Sequence, residues 1–255
     1  MRYDPDYIRQ YFDAYGSREW DRLGSSLEGR VNFHLHQHYL LQYVHRGDRV
    51  LEVGPGPGRF TLELAGIGAK VVALDISPEQ LRLNRELMVS EGVDETVEAW
   101  VEGDVTNLAS FADGEFDALV AYGGPLSYVC DQAHQAMAEM LRVTKTGGHV
   151  LVSVMSHLGT TRRFLGSIIE TAFQQGIEPV DTVTRTGYLQ GEAATGGHRC
   201  RMYRWSELKR LLEMHECDIV ASSASGFLAL QDAEALKAAQ SDLDLWETFL
   251  EWEVT

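Results

Sequence analysis

From Arg49 onward, short β-branched apolar runs alternate with stretches of helical periodicity. Five runs read as strands: RVLEV (49–53), KVVALD (70–75), VEAWV (97–101), FDALVA (116–121) and HVLVSV (149–154). Between the second and third, SPEQLRLNRELMVSEG opens with Ser77 as N-cap, Pro78 at the first helical position and Gln80 placed to complete a capping box. In DQAHQAMAEMLRVTKTGG, Ala136, Met140 and Leu141 share a stripe, and Gly147 and Gly148 are expected to stop that helix before the fifth strand. Alternation of this kind predicts an α/β fold: a doubly wound, mainly parallel sheet, Rossmann-like, with helices on both faces.

The flanks follow other patterns. Tyr3, Tyr7, Tyr11 and Tyr15 recur every fourth residue, so they fall on one face of a helix. Residues 1–46 are therefore expected to form an N-terminal helical cap, packed on the main domain or roofing a ligand cleft. The main domain is expected over 47–255. Within it, residues 155–205 carry many glycines and threonines, which predicts a substrate-facing insertion. SELKRLLEMHECDIVAS, capped by Ser206, reads as a last helix and strand, and residues 231–255 as a helical tail. A seventh strand could be GFLAL; otherwise the sheet is incomplete, or the tail pairs with another copy. Trp246, Phe249, Leu250 and Trp252 suit either a homodimer contact or docking of the tail on its own chain.

Composition narrows the function. The 255 residues, 44% of them hydrophobic, suffice for one main domain, and a net charge of −16 opposes the phosphate attraction on which nucleic-acid binding rests. Cys130, Cys200 and Cys217 form no C-x-x-C pair, which predicts reduced thiols and a cytoplasmic location. No apolar run approaches the ~20 residues that span a bilayer, so no membrane partner is expected. His34 and His38 share a helical face, but His36 points away and no acidic third ligand is evident, so no metal is expected.

The chemistry is concentrated in RVLEVGPGPGRFTLELAG. Gly54, Gly56 and Gly58, with Pro55 and Pro57 between them, join an apolar strand to an amphipathic helix, where a ligand can touch the main chain. Dinucleotide enzymes use G-x-G-x-x-G, but Arg59 stands where the third glycine would be. The run instead reads acidic-x-Gly-x-Gly-x-Gly from Glu52, and Asp75 closes the second strand, where its carboxylate can accept from both hydroxyls of a ribose.

From about Tyr15 to Ser222 the chain resembles the class I S-adenosylmethionine-dependent methyltransferases, in a bacterial small-molecule branch. LEVGPGPG resembles their glycine-rich first motif, VVALDIS the ribose-binding strand end and VEGDVTNL the adenine-binding turn. FDALVAYGGPLSYV is similar to the fourth strand and its loop, and EMLRVTKTGGHVLVSV to the following helix and strand. The resemblance implies S-adenosyl-L-methionine as cofactor and S-adenosyl-L-homocysteine as product. Gly54, Gly56 and Gly58 would border the methionine part, with Glu52 and Pro55 framing the same loop. Asp75 would hold the ribose, Ile76 and Val105 the adenine ring, Asp104 the adenine amino group, and Tyr122 would sit by the amino-acid end. SREWDRL and Arg30 resemble the branch's N-terminal segment, which implies Arg30 on the cofactor carboxylate with Tyr15 or Trp20 shielding it.

Methyl transfer is an in-line displacement that needs alignment more than a base. Where a proton must leave, His157 and Tyr128 are the candidate catalytic residues, with Ser127 and Tyr128 orienting the acceptor. Arg201 and Tyr203 alternate onto one strand face and would meet a carboxylate or phosphate of the substrate, or form an ordinary edge strand. AYGGPLSY lacks the Asn/Asp-Pro-Pro-aromatic signature of enzymes acting on adenine bases. The expected activity is methylation of an oxygen or nitrogen of a small metabolite; the alternatives are a non-catalytic sensor or scaffold and an RNA or protein methyltransferase.

Overall fold

The computed structural model describes residues 1–21, 24–191, 197–229 and 232–254. Three helices come first: α1 (Pro5–Tyr15), α2 (Arg18–Asp21) and α3 (Leu27–Tyr43). The sheet follows as β1 (Arg49–Val53), α4 (Arg59–Ile67), β2 (Lys70–Asp75), α5 (Pro78–Glu91), β3 (Val97–Glu102), β4 (Phe116–Ala121), α6 (Pro125–Tyr128), α7 (Ala133–Val143) and β5 (Thr144–Val152). After it come α8 (His157–Arg163), α9 (Leu165–Gln175), α10 (Ile177–Thr186), β6 (Tyr188–Gln190), β7 (Arg199–Arg201), α11 (Trp205–Glu213), α12 (Ala233–Gln240) and α13 (Leu243–Val254).

The five strands are parallel in the order β3-β2-β1-β4-β5. β1 and β4 are neighbours whose following helices leave in opposite directions, which opens a crevice at their carboxyl ends. Both sheet faces are buried, as continuous apolar runs require. Leu51, Val53, Leu74 and Leu119 pack with Met137 and Met140 of α7, while Val50, Val71, Ala118 and Val120 pack with Leu40, Leu64 and Met88 of α3, α4 and α5.

Several expectations are corrected here. α7 ends at Val143, and β5 begins at once, so Gly147 and Gly148 lie inside the strand rather than stopping the helix. Gly148 is needed because a Cβ there would lie 2.5 Å from the Asp117 carbonyl, beside the register shift between β4 and β5. Ser77 caps α5 by accepting from the Gln80 amide at 3.1 Å, yet the Gln80 side chain does not close a capping box. It donates to Phe12 and Gly16 carbonyls at the end of α1.

No sixth or seventh sheet strand forms among the described residues. α11 starts at Trp205 behind Arg204, whose amide is accepted by Glu207, so Ser206 lies in the first turn and is not the cap. CDIVAS runs irregularly after the left-handed Glu216 (φ 54°), with Val220 exposed; of GFLAL, residues 226–229 form a turn and Leu230 lies outside the described residues. The end of β5 is met instead by Tyr203, which bridges to Ser156 and exchanges main-chain bonds with Met155 and His157. The tail docks on its own chain: Trp246, Phe249 and Leu250 pack around Val31 and Leu236, and Glu253 accepts from the Leu228 and Ala229 amides, while Trp252 stays exposed. No helix among the described residues is long and apolar enough to cross a membrane.

The tyrosine stripe is a clamp. Tyr7 donates to the Gly197 carbonyl at 2.7 Å and Tyr11 bonds His198 at 3.1 Å, so α1 grips the antiparallel β6–β7 hairpin. The neighbouring face of α1 carries Ile8 and Phe12 into the crevice; α1 therefore packs on the domain and roofs the cleft at once.

Candidate active site

The crevice lies at the carboxyl ends of β1, β2 and β4. Gly54, straight after β1, takes φ +64°, and a Cβ on it would lie 2.8 Å from Pro125 Cγ, so only glycine lets the β4 loop close against the turn. Asp75 ends β2 fully buried. Its Oδ2 accepts from the Gly56 amide at 3.2 Å and its Oδ1 from the Ser77 amide at 2.9 Å. Burial raises its pKa to about 6 against the opposing pull of those amides, with Glu19 adding a smaller push upward. Each oxygen keeps a second lone pair for a ligand. Beside it Gln80 Oε1 is buried without a hydrogen-bond partner.

At the third strand end, Asp104 Oδ1 accepts from both the amide and hydroxyl of Thr106 at 2.8 Å, and Oδ2 accepts from the Tyr3 phenol at 2.9 Å. Burial first, then Asp104, hold that phenol well above its ordinary range, so it remains a donor. Ile76 and Val105 supply apolar walls. Tyr122 packs against Phe60 and His36, with ring centroids 5.1 and 4.6 Å away, and burial pushes its phenol upward. Arg59, first residue of α4, lines the same crevice, lies 4.0 Å over the Trp20 ring and donates to the Trp20 carbonyl at 2.8 Å.

Behind the glycine turn runs a buried polar chain. Trp100 donates to Asn84, Asn84 to Thr61, and Thr61 to Glu52 at 2.6 Å. Burial raises the Glu52 pKa to about 8, the Thr61 bond opposes this and Asp75 adds to it. Glu52 thus supports the turn from below and does not line the cavity. The cavity measures about 110 Å³, small beside the roughly 300 Å³ of an ordinary ligand site, and Tyr3, Ile8 and Phe12 are among its lining residues.

The structure brings together Gly54, Pro55, Gly56, Asp75, Ile76, Asp104, Val105, Tyr122 and Tyr128 from the sequence reading. It leaves the others outside. His157 is buried with Nε2 donating to the Thr184 carbonyl at 2.8 Å; it ties α8 to α10 and has no path to the crevice. Arg30 is exposed on α3 because Val31 and Leu35 take the inward face. Trp20 and Tyr15 lie a layer away, on Arg59 and Tyr11. Gly58 caps α4 against Asn84. Ser127 is buried with its hydroxyl accepting from Met155, and Tyr203 is buried with its hydroxyl donating to Leu126. Arg201 lies over the Tyr203 ring and near Glu207, which accounts for its charge.

Of the tyrosine stripe expected to pack or to roof a cleft, Tyr3 lines the cavity, and sequence reasoning missed Ile8, Phe12, Glu19, Arg59 and Gln80 there. Arg59 had a signal, since it breaks the dinucleotide pattern. The α1 residues had none, because only the docking angle of α1 sets which face looks inward.

Residues 50–148 match the model of a methyltransferase domain family. Among curated proteins, a demethylmenaquinone methyltransferase of Thermobifida fusca is 33% identical over 156 residues, 61% of this chain and 64% of that one. That of Renibacterium salmoninarum is 38% identical over 111 residues, 44% and 43% of the two chains. The chain thus spans less than two thirds of the length of these relatives. Among solved structures, a SAM-dependent methyltransferase from Methanosarcina mazei superposes with a TM-score of 0.56 at 21% identity, covering 72% of this chain and 85% of that one. The YcgJ protein of Bacillus subtilis superposes at 0.52 and 15% identity, covering 85% and 81%.

Proposed function

We propose that the chain, whose residues 50–148 match a methyltransferase domain family, is a class I S-adenosylmethionine-dependent methyltransferase that transfers a methyl group to a small aromatic acceptor. The observation that carries this reading is the polar set at the strand ends. A buried Asp75 carboxylate and the unpartnered Gln80 Oε1 are two acceptors placed together, which suits the two donors of a ribose. Asp104 is an acceptor for an exocyclic amino group, Arg59 is the cation for a carboxylate, and the Gly54–Gly56 main chain takes the part between. The residues present therefore fit S-adenosylmethionine by charge and donor count.

When bound, the cofactor supplies a methyl carbon on a positively charged sulfur. The chain's part is to hold the acceptor in line and keep water out. Phe12, Tyr122 and Tyr128 give the cavity aromatic walls, which favours a planar, neutral acceptor. Curated relatives carry the name demethylmenaquinone methyltransferase, and a quinol is our first candidate, methylated at oxygen or carbon. The three free cysteines and the net charge of −16 agree with a cytoplasmic enzyme that does not act on nucleic acid. Calorimetry with S-adenosylhomocysteine tests the reading: the wild type binds, and Asp75→Ala weakens binding about 100-fold, the loss of two charge-assisted bonds. Equal affinity in the variant overturns it.

A further inference from the structure

Among the described residues, the β6–β7 hairpin meets the wall of the crevice through His198, which contacts Tyr128. Its imidazole sits between two phenols: Tyr11 Oη lies 3.1 Å from Nδ1 and Tyr128 Oη lies 3.1 Å from Nε2. The rings are 5.5 and 5.4 Å apart, and Tyr128 meets Phe12 edge-on at 5.0 Å. Tyr128 also forms a wall of the cavity beside Gly123 and Pro125. One imidazole thus couples the hydroxyl of Tyr128, a cavity-wall residue on α6, to a hydroxyl on α1.

A neutral imidazole has one donor and one acceptor nitrogen, so one phenol donates to it and the other accepts. With Tyr128 donating to Nε2, its oxygen turns its lone pairs to the cavity. With His198 protonated, both nitrogens donate, and the Tyr128 hydroxyl hydrogen is released toward the cavity. The pair has two proton states that differ at the surface a substrate touches. Burial first, then Tyr15 and Glu19, raise the Tyr11 pKa, so Tyr11 keeps its proton and the relay ends there. Among the described residues, Tyr7, Tyr15, Arg18 and Glu19 from the N-terminal helices act on Tyr11, and Arg199 of the hairpin lies over the Tyr7 ring.

We propose that His198 is a positioning residue that makes Tyr128 the proton acceptor for a phenolic or enolic hydroxyl of the substrate; this rests on the methyl-transfer reading above. The hydroxyl gives its proton to Tyr128 Oη and Tyr128 passes its own to His198 Nε2; the freed electron pair, on oxygen or its conjugated carbon, takes the methyl group, and the broken bond leaves its pair on sulfur. One positive charge exists before and after, first on sulfur and then on the imidazolium. A phenol is a suitable way-station because its proton affinity matches that of a phenolic acceptor.

The test uses 4-nitrophenol, whose phenolate is coloured, with the full chain saturated by S-adenosylhomocysteine. Wild type is expected to bind it and to ionise it at lower pH than water does. In His198→Gln, which keeps a partner for Tyr128 but cannot hold the proton, the ionisation midpoint is expected to rise by about one pH unit, a tenfold loss, with S-adenosylhomocysteine affinity unchanged within about twofold. Tyr128→Phe is expected to abolish the ionisation. In the cofactor-free wild type, nitrogen NMR of the histidine rings is expected to show the His198 Nε2 signal move in Tyr128→Phe and the Nδ1 signal in Tyr11→Phe. An unchanged midpoint in His198→Gln, no binding of 4-nitrophenol, or imidazole signals blind to both phenols overturns the proposal. Failure of the wild type to bind S-adenosylhomocysteine instead overturns the methyl-transfer reading, and the NMR result is independent of it.

Discussion

The phenol of Tyr3 donates a 2.9 Å hydrogen bond to Asp104 Oδ2, so the N-terminal segment holds the carboxylate assigned to the adenine amino group. A second bond, from the Tyr3 amide to Asp131 at 2.7 Å, fixes the segment in place. Two donors for one carboxylate oxygen compete. Tyr3→Phe removes the internal one, and S-adenosylhomocysteine is expected to bind about 3–10-fold more tightly by calorimetry, the net worth of one ordinary hydrogen bond. Weaker binding would show that Tyr3 stays and assists.

Gln80 ties α1 to α5 by donating to Phe12 and Gly16 carbonyls at 3.0 and 3.1 Å. Gln80→Leu removes both bonds, and although the Gly16 and Glu19 amides still pair with those carbonyls, the loss costs roughly 0.5–1.5 kcal/mol per bond locally. Amide exchange in Pro5–Tyr15 is expected to accelerate about tenfold or more while the sheet strands keep their protection, read by hydrogen-exchange mass spectrometry.

Glu52 gives a pH dependence of known sign. Its carboxyl, raised from 4.5 to about 8, stays protonated in the fold after it has ionised in the unfolded chain. The unfolded state then binds fewer protons, so stability falls as pH rises through that window and levels off above it. Asp75, raised from 3.8 to about 6, adds to the lower part of the window. Glu52→Gln keeps an acceptor for Thr61 and cannot ionise. The drop in melting midpoint between about pH 5 and about pH 8.5 is expected to shrink, by roughly 2–4 °C for each kcal/mol recovered.

The tail is an internal element. Trp246 packs with Phe249, Leu250, Val31 and Leu236, so Trp246→Ala opens a gap between α13 and α3. The expected loss is about 1–3 kcal/mol in thermal unfolding. Light scattering is expected to give the same mass for variant and wild type; a lower mass would place the tail between two copies.

Much of the site was readable from the chain because its chemistry is local. A buried parallel strand needs β-branched residues, a turn closed against Pro125 needs Gly54, and a ribose contact needs an acid where β2 ends, so Asp75 and the glycine turn announce themselves in order. The sheet's first four strands were readable for the same reason. The sixth strand was not: CDIVAS has the composition of a strand, but a strand forms only where a neighbour pairs with it, and the chain runs irregularly there with Val220 exposed.

The sequence by itself determined the α/β core, the glycine turn and its acidic partner, because each is marked by the residue types and spacing within a short stretch of chain. The tertiary structure alone decided which arginine faces the crevice, which histidine meets a cavity phenol and what the tyrosine stripe grips. Arg59 replaced Arg30, His198 replaced His157, and Tyr7 and Tyr11 closed on a hairpin far along the chain. Those outcomes depend on the angle at which α1 and the hairpin dock on the sheet, and that angle is fixed by packing between distant segments, which no local pattern encodes.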